Sequence, residues 1–106
     1  MSPDPKQKVH WTFFSNNAHV LVCLCETPQP TTSEIARRVG ITERATQRIV
    51  QRLAEAGVIR IEKNGRRNTY SVNLGLHLRH PLEAHKSIGE FLSLISPDSA
   101  LVRKTR

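Results

Sequence analysis

The sequence predicts a mainly α fold with one small β-hairpin, and three observations predict it. Two short helical patterns follow each other across a single glycine in residues 31–57. Two segments of alternating apolar residues then flank Asn64-Gly65, a dipeptide suited to a tight hairpin. Finally, a chain of 106 residues with 38% hydrophobic content can fill one small core, so one domain is expected.

The first helix is expected over residues 11–26, where Thr27-Pro28-Gln29-Pro30 forbids continuation. Phe13, Phe14, Val20, Leu21, Val22 and Leu24 occupy more than one of its faces, which suggests burial on two sides, between the domain and a second subunit. Cys23 and Cys25 lie two apart on this helix, so their side chains diverge by about 200° and do not suit a disulfide with each other. That spacing fits a reducing compartment, while a disulfide between chains stays open.

In Thr31-Thr32-Ser33-Glu34, a threonine hydroxyl and a carboxylate three residues on can satisfy the free amides of a helix start. Ile35, Ala36 and Val39 repeat at helical spacing until Gly40, which can take the left-handed conformation that closes the second helix. After Ile41, Thr42 offers another N-cap, and a third helix runs to Ala56, closed by Gly57. Ile49, Val50 and Leu53 supply its buried stripe, with Ala45 and Thr46 near the edge.

The hairpin is expected over residues 58–73. Its strands alternate through Ile59, Arg60, Ile61, Glu62 and Lys63, and again through Asn68 to Asn73. Asn64-Gly65 supplies the positive dihedrals of the turn, and Arg66 and Arg67 sit at the tip. Tyr70 reads as a strand residue packing on the third helix. A connector follows over residues 74–80, and Pro81 suits the first position of a last helix reaching about Ile95, with Ala84, Ile88, Phe91, Leu92 and Ile95 as its apolar stripe. Residues 1–9 and 97–106 read as flexible tails flanking a domain at 10–73 and a connector plus C-terminal helix at 74–96.

Charge points to a polyanionic partner. The chain carries 16 Lys+Arg against 9 Asp+Glu, a net charge of +7. Residues 31–72 hold nine basic and four acidic side chains, so +5 of the +7 lies there. On the third helix, Arg44, Gln47, Arg48 and Gln51 fall at i, i+3, i+4 and i+7, one polar face, with Thr42 and Glu43 at its N-terminal end. Arginine pairs bidentately with guanine and glutamine with adenine, so such a face can read base edges. A merely solvated face is the plain alternative, and the preceding helix and turn argue against it.

Ala36, Gly40, Ile41 and Ile49 at this spacing look like the signature of bacterial and archaeal helix-turn-helix regulators. The continuation Leu53-Ala54-Glu55-Ala56-Gly57-Val58-Ile59, then Gly65-Arg66-Arg67-Asn68-Thr69-Tyr70, resembles winged helix-turn-helix transcriptional regulators of the MarR and ArsR type. The resemblance covers about two-thirds of the chain. One departure is Thr46, where that family usually has Val or Ile; its hydroxyl needs a partner. The resemblance implies sequence-specific binding of double-stranded DNA, with the third helix (about 42–56) in the major groove and Thr42, Glu43, Arg44, Gln47, Arg48 and Gln51 reading bases. Thr32, Lys63, Asn64, Arg66 and Arg67 would hold the backbone or minor groove. It also implies a homodimer through the first helix and the C-terminal helix.

A metal-responsive sensor is the competing reading, since His77, His80, Glu83 and His85 lie close in sequence and are plausible ligands. ArsR-type sensors also use a Cys-x-Cys pair, but Cys23-Leu24-Cys25 lies before the helix-turn-helix rather than at its first helix. The expectation is therefore no metal and no cofactor. No phosphate-binding glycine loop, zinc-protease motif or nucleophile elbow suggests an enzyme. No apolar run is long enough to span a bilayer and no secretion signal opens the chain, so the expected location is cytoplasmic, with no membrane partner. No cluster of polar residues marks a site for a small-molecule effector. A winged-helix protein-interaction module is the remaining alternative.

Overall fold

The computed structural model describes residues 11–95; the expected tails at 1–9 and 97–106 lie outside them. Six elements follow in order: α1 (Asn16–Leu24), α2 (Thr32–Val39), α3 (Glu43–Glu55), β1 (Ile59–Asn64), β2 (Arg67–Val72) and α4 (Ile88–Ile95). This is a winged helix-turn-helix architecture: a three-helix core followed by an antiparallel two-stranded hairpin, with one more helix closing the base.

Capping chemistry sets the helix starts. The Thr31 hydroxyl accepts from the Glu34 amide (3.1 Å) while the Glu34 carboxylate accepts from the Thr31 amide (2.7 Å), a reciprocal box that fixes the start of α2. Gly40, at φ 89°, ends the helix by donating to the Ala36 carbonyl. Thr42 then caps α3, its hydroxyl accepting from Ala45 N (3.0 Å).

Val20, Leu24, Ile35 and Leu92 are essentially inaccessible to solvent and form the centre of the core, joined by Ile49, Val50 and Leu53 from α3, Ile59 from β1 and Ile88 from α4. Burial of each such side chain stabilises the fold by about 1.5–3 kcal/mol before conformational entropy is charged against it.

Five sequence expectations are corrected. The first helix begins at Asn16, not at residue 11, because Ser15 caps it by accepting from Ala18 N (3.4 Å), and it ends at Leu24 with Cys25 as its C-cap. The aromatic residues before it are outside the helix and outside the core: Trp11 and Phe13 are exposed and pack edge-to-face on each other, and Phe14 packs edge-to-face on Phe91. Thr46 is not at the edge of α3's stripe but fully buried, its hydroxyl donating to the Thr42 carbonyl (3.0 Å), which meets the need a buried hydroxyl creates.

At the hairpin turn, Gly65 is the residue at positive φ (68°), while Asn64 is the last residue of β1 and pairs with Arg67. A two-residue loop with glycine first matches a type II′ turn, so Gly65 and Arg66 form the tip and Arg67 already belongs to β2.

The last helix starts at Ile88 rather than Pro81. Ser87 and Glu90 form the same kind of reciprocal cap as Thr31 and Glu34, at 3.2 and 2.9 Å. Residues 79–86 instead turn the chain back, so that Leu78 N bonds to Lys86 O and Ile88 N to Leu76 O, around an isolated bridge between His77 and Ser87. The close approach explains Gly89 inside a helix: its amide donates to the Leu74 carbonyl, and a Cβ there would stand 3.1 Å from that oxygen.

Candidate nucleic-acid interface

The exposed polar face of α3 is created by what the opposite face buries. Thr46, Ile49, Val50 and Leu53 are held in the core, and the sharp turn at Gly40-Ile41, with both amides on the Ala36 carbonyl, sets α3 against α2. Arg44, Gln47, Arg48 and Gln51 are therefore all exposed along one side, with Thr42 and Glu43 exposed at the N-terminal end. Gln51 makes a long hydrogen bond to Glu55 (3.4 Å). Among the described residues the ion pairs are Arg38–Glu26 and Lys86–Glu90, and none involves a cation of α3 or the hairpin.

The hairpin extends away from this core. Ile59 is buried, Ile61 half-buried and Lys63 exposed, so cover falls off along the strand. Register divides its side chains between two faces. Ile59 and Val72, Ile61 and Tyr70, and Lys63 and Asn68 are opposed pairs on the side turned to the core. Arg60 and Ser71, Glu62 and Thr69, and Arg67 occupy the other side. The sequence candidates Lys63 and Arg67 thus lie on opposite faces, with Arg66 in the turn between them. Thr32 is half-buried at the first position of α2. Arg37, exposed in the last turn of α2, and Asn68 are not among the sequence candidates; strand alternation counted from Ile59 is the signal that locates Asn68.

A hydrogen-bonded link orients the hairpin. Gln29, in the segment before α2, donates from Nε2 to the carbonyls of Leu24 (2.9 Å) and Tyr70 (2.7 Å) and accepts on Oε1 from Tyr70 N (3.2 Å). Beside it, Arg38 forks onto the Glu26 carboxylate at 2.6 and 2.7 Å, tying the end of α2 to the end of α1. This hydrogen bond holds the Glu26 carboxyl below its ordinary pKa.

His77, His80, Glu83 and His85 are exposed and are not assembled into a ligand set. His77 Nδ1 bonds to the Ala84 carbonyl (2.8 Å), and His80 Nδ1 accepts from Leu82 N (3.1 Å). Among the described residues no group of three or more His, Cys, Asp or Glu side chains is placed to hold a metal ion. No helix among them is long and apolar enough to cross a membrane. Cys23 and Cys25 are both free and buried.

A second surface lies at the far end of α1. A groove of about 810 Å³ between the start of α1 and α4 is lined by Phe13, Phe14, Leu21, Phe91 and Leu94 among others, with Lys86 and Glu90 nearby. Phe13 and Leu94 are more than three-quarters exposed.

Residues 19–60 match the family model for winged helix-turn-helix DNA-binding domains. The matched span runs from α1 to the second residue of β1 and contains every candidate residue of α3. Neither the curated proteins nor the solved structures yield a match.

Proposed function

We propose that this protein is a sequence-specific regulator of transcription that binds double-stranded DNA, with α3 in the major groove and the hairpin on the flanking backbone or minor groove. The observation that carries this reading is the exposed row Arg44, Gln47, Arg48 and Gln51, anchored from behind by Thr46, Ile49, Val50 and Leu53. Arginine and glutamine are the side chains suited to bidentate pairing with guanine and adenine. Glu43 at the head of the helix can accept from the cytosine amino group. Of the sequence candidates for backbone contact, Thr32, Lys63, Asn64 and Arg66 are kept in this reading, and such contacts position the protein without selecting sequence. The similarity of residues 19–60 to DNA-binding domains supports this assignment.

The same reading makes the active form a homodimer, the two copies meeting across the apolar groove between α1 and α4. Exposed Trp11, Phe13, Phe14 and Leu94 concentrate on or beside this groove rather than scattering, which favours a protein contact. A two-fold dimer would present two α3 helices to half-sites about one helical turn of DNA apart.

Substitution separates base reading from backbone binding. Arg44→Ala or Gln47→Ala is expected to cost about 1–3 kcal/mol of discrimination between the preferred duplex and a scrambled one. An unchanged ratio would remove that residue from base reading.

A further inference from the structure

The hairpin carries three exposed cations near its end, and its register gives them different outlooks. β1 and β2 pair with Asn64 opposite Arg67 and Lys63 opposite Asn68. Side chains of opposed residues share a face, and faces alternate along each strand. Lys63 and Asn68 therefore continue the face that carries Ile59, Ile61, Tyr70 and Val72, all packed into or against the core that contains Ile49, Val50 and Leu53 of α3. Val58 N, at the head of the hairpin, donates to the Leu53 carbonyl of α3 (2.9 Å), and Ile59 is buried in one cluster with Ile49, Val50 and Leu53, so this hairpin face is turned toward α3. Beyond Ile61 the core ends, and the same face becomes exposed at Lys63 and Asn68.

Arg67 lies on the other face with Arg60 and Glu62, turned away from α3. The hairpin is not free to roll and exchange these faces, because Gln29 holds both backbone polar groups of Tyr70 in the middle of β2.

We infer that Lys63 and Asn68, with Arg66 at the turn, form the DNA-contacting edge of the hairpin, and that Arg67 does not contact the duplex held by α3. Lys63 and Arg66 each neutralise a phosphate, and Asn68, an uncharged donor, hydrogen-bonds a phosphate or sugar oxygen. The inference rests on the DNA-binding reading above and assigns contacts within it.

The test uses the full chain and a fluorescein-labelled duplex of mixed sequence, titrated by anisotropy at several salt concentrations, with Lys63→Ala, Arg66→Ala, Asn68→Ala and Arg67→Ala beside an Arg44→Ala/Arg48→Ala control. Lys63→Ala and Arg66→Ala are each expected to reduce the salt slope by about one per binding domain. Asn68→Ala is expected to weaken binding about two- to tenfold at unchanged slope, the signature of a lost uncharged hydrogen bond. Arg67→Ala is expected to leave the slope within error of the parent. A slope lowered by Arg67→Ala as much as by Lys63→Ala would overturn the assignment. If the α3 control weakens binding and no hairpin variant does, the assignment falls while the DNA-binding reading stands. If the parent protein shows no salt-dependent binding, both fall. Circular dichroism of each exposed-site variant checks that the fold is retained.

Discussion

The side-chain amide of Gln29 makes toward Tyr70 the two hydrogen bonds that a neighbouring β-strand would make. Its Nε2 donates to the Tyr70 carbonyl and its Oε1 accepts from the Tyr70 amide. The second Nε2 hydrogen serves the Leu24 carbonyl at the end of α1, so both amide hydrogens and one lone pair of the oxygen are used. One side chain thus caps the open edge of β2 and fixes the hairpin to the helical core.

Gln29→Leu would leave three backbone groups, the Leu24 carbonyl and both polar groups of Tyr70, without this partner. The expected loss is about 1–3 kcal/mol, seen as a lower urea midpoint, with faster hydrogen exchange at the Tyr70 amide. Unchanged exchange at Tyr70 would show that the link does not hold the hairpin.

The Arg38–Glu26 fork makes a small pH-dependent contribution. The Arg38 hydrogen bond depresses the folded-state pKa of Glu26 below its unfolded value. The stabilisation is therefore present in full above the unfolded carboxylate value and is lost as pH falls through the folded one. Both partners are partly solvated, so the pair is worth no more than about 1 kcal/mol. Glu26→Gln should lower the urea midpoint slightly at pH 7, and the difference should close below about pH 4. A constant difference across that range would assign the effect to packing instead.

Burial pushes the Cys25 thiol up to about 12, and the Cys23 thiol is raised for the same reason. Near neutral pH the Cys25 thiol is therefore held in its unreactive protonated form. The native protein is expected to resist a disulfide reagent such as Ellman's, and to react at both thiols once urea unfolds it. Rapid native modification would mean that α1 opens readily.

On the proposed dimer face, Phe13→Ser and Leu94→Ser remove exposed apolar surface without opening the core. Each is expected to shift the protein toward monomer in sedimentation equilibrium while thermal stability at low concentration changes little. If the parent sediments as a monomer at micromolar concentration, the dimer reading fails.

Local signals made much of this fold legible. Thr31 with Glu34, Gly40 and Thr42 act through neighbours within four residues, so their roles can be read directly from spacing. Ser87 with Glu90 is the same signal as Thr31 with Glu34, but the chain reversal that separates Pro81 from α4 depends on pairing of residues 74–78 with 86–89, which spacing does not carry. The Gln29–Tyr70 link spans 41 positions and leaves no periodic trace. Within the candidate interface, the polar face of α3 follows from helical spacing alone. The division between Lys63 and Arg67 needed the strand register, which depends on Gly65 and Arg66 being the two turn residues.

The central claim is that α3 reads sequence, and selection from a random duplex library tests it most directly. The enriched duplex is then compared with a scrambled one by fluorescence anisotropy at several salt concentrations. The account expects a two-fold symmetric sequence, preferred by about a thousandfold or more, with affinity falling steeply as salt rises. No enriched sequence, together with weak binding that salt barely changes, would contradict it.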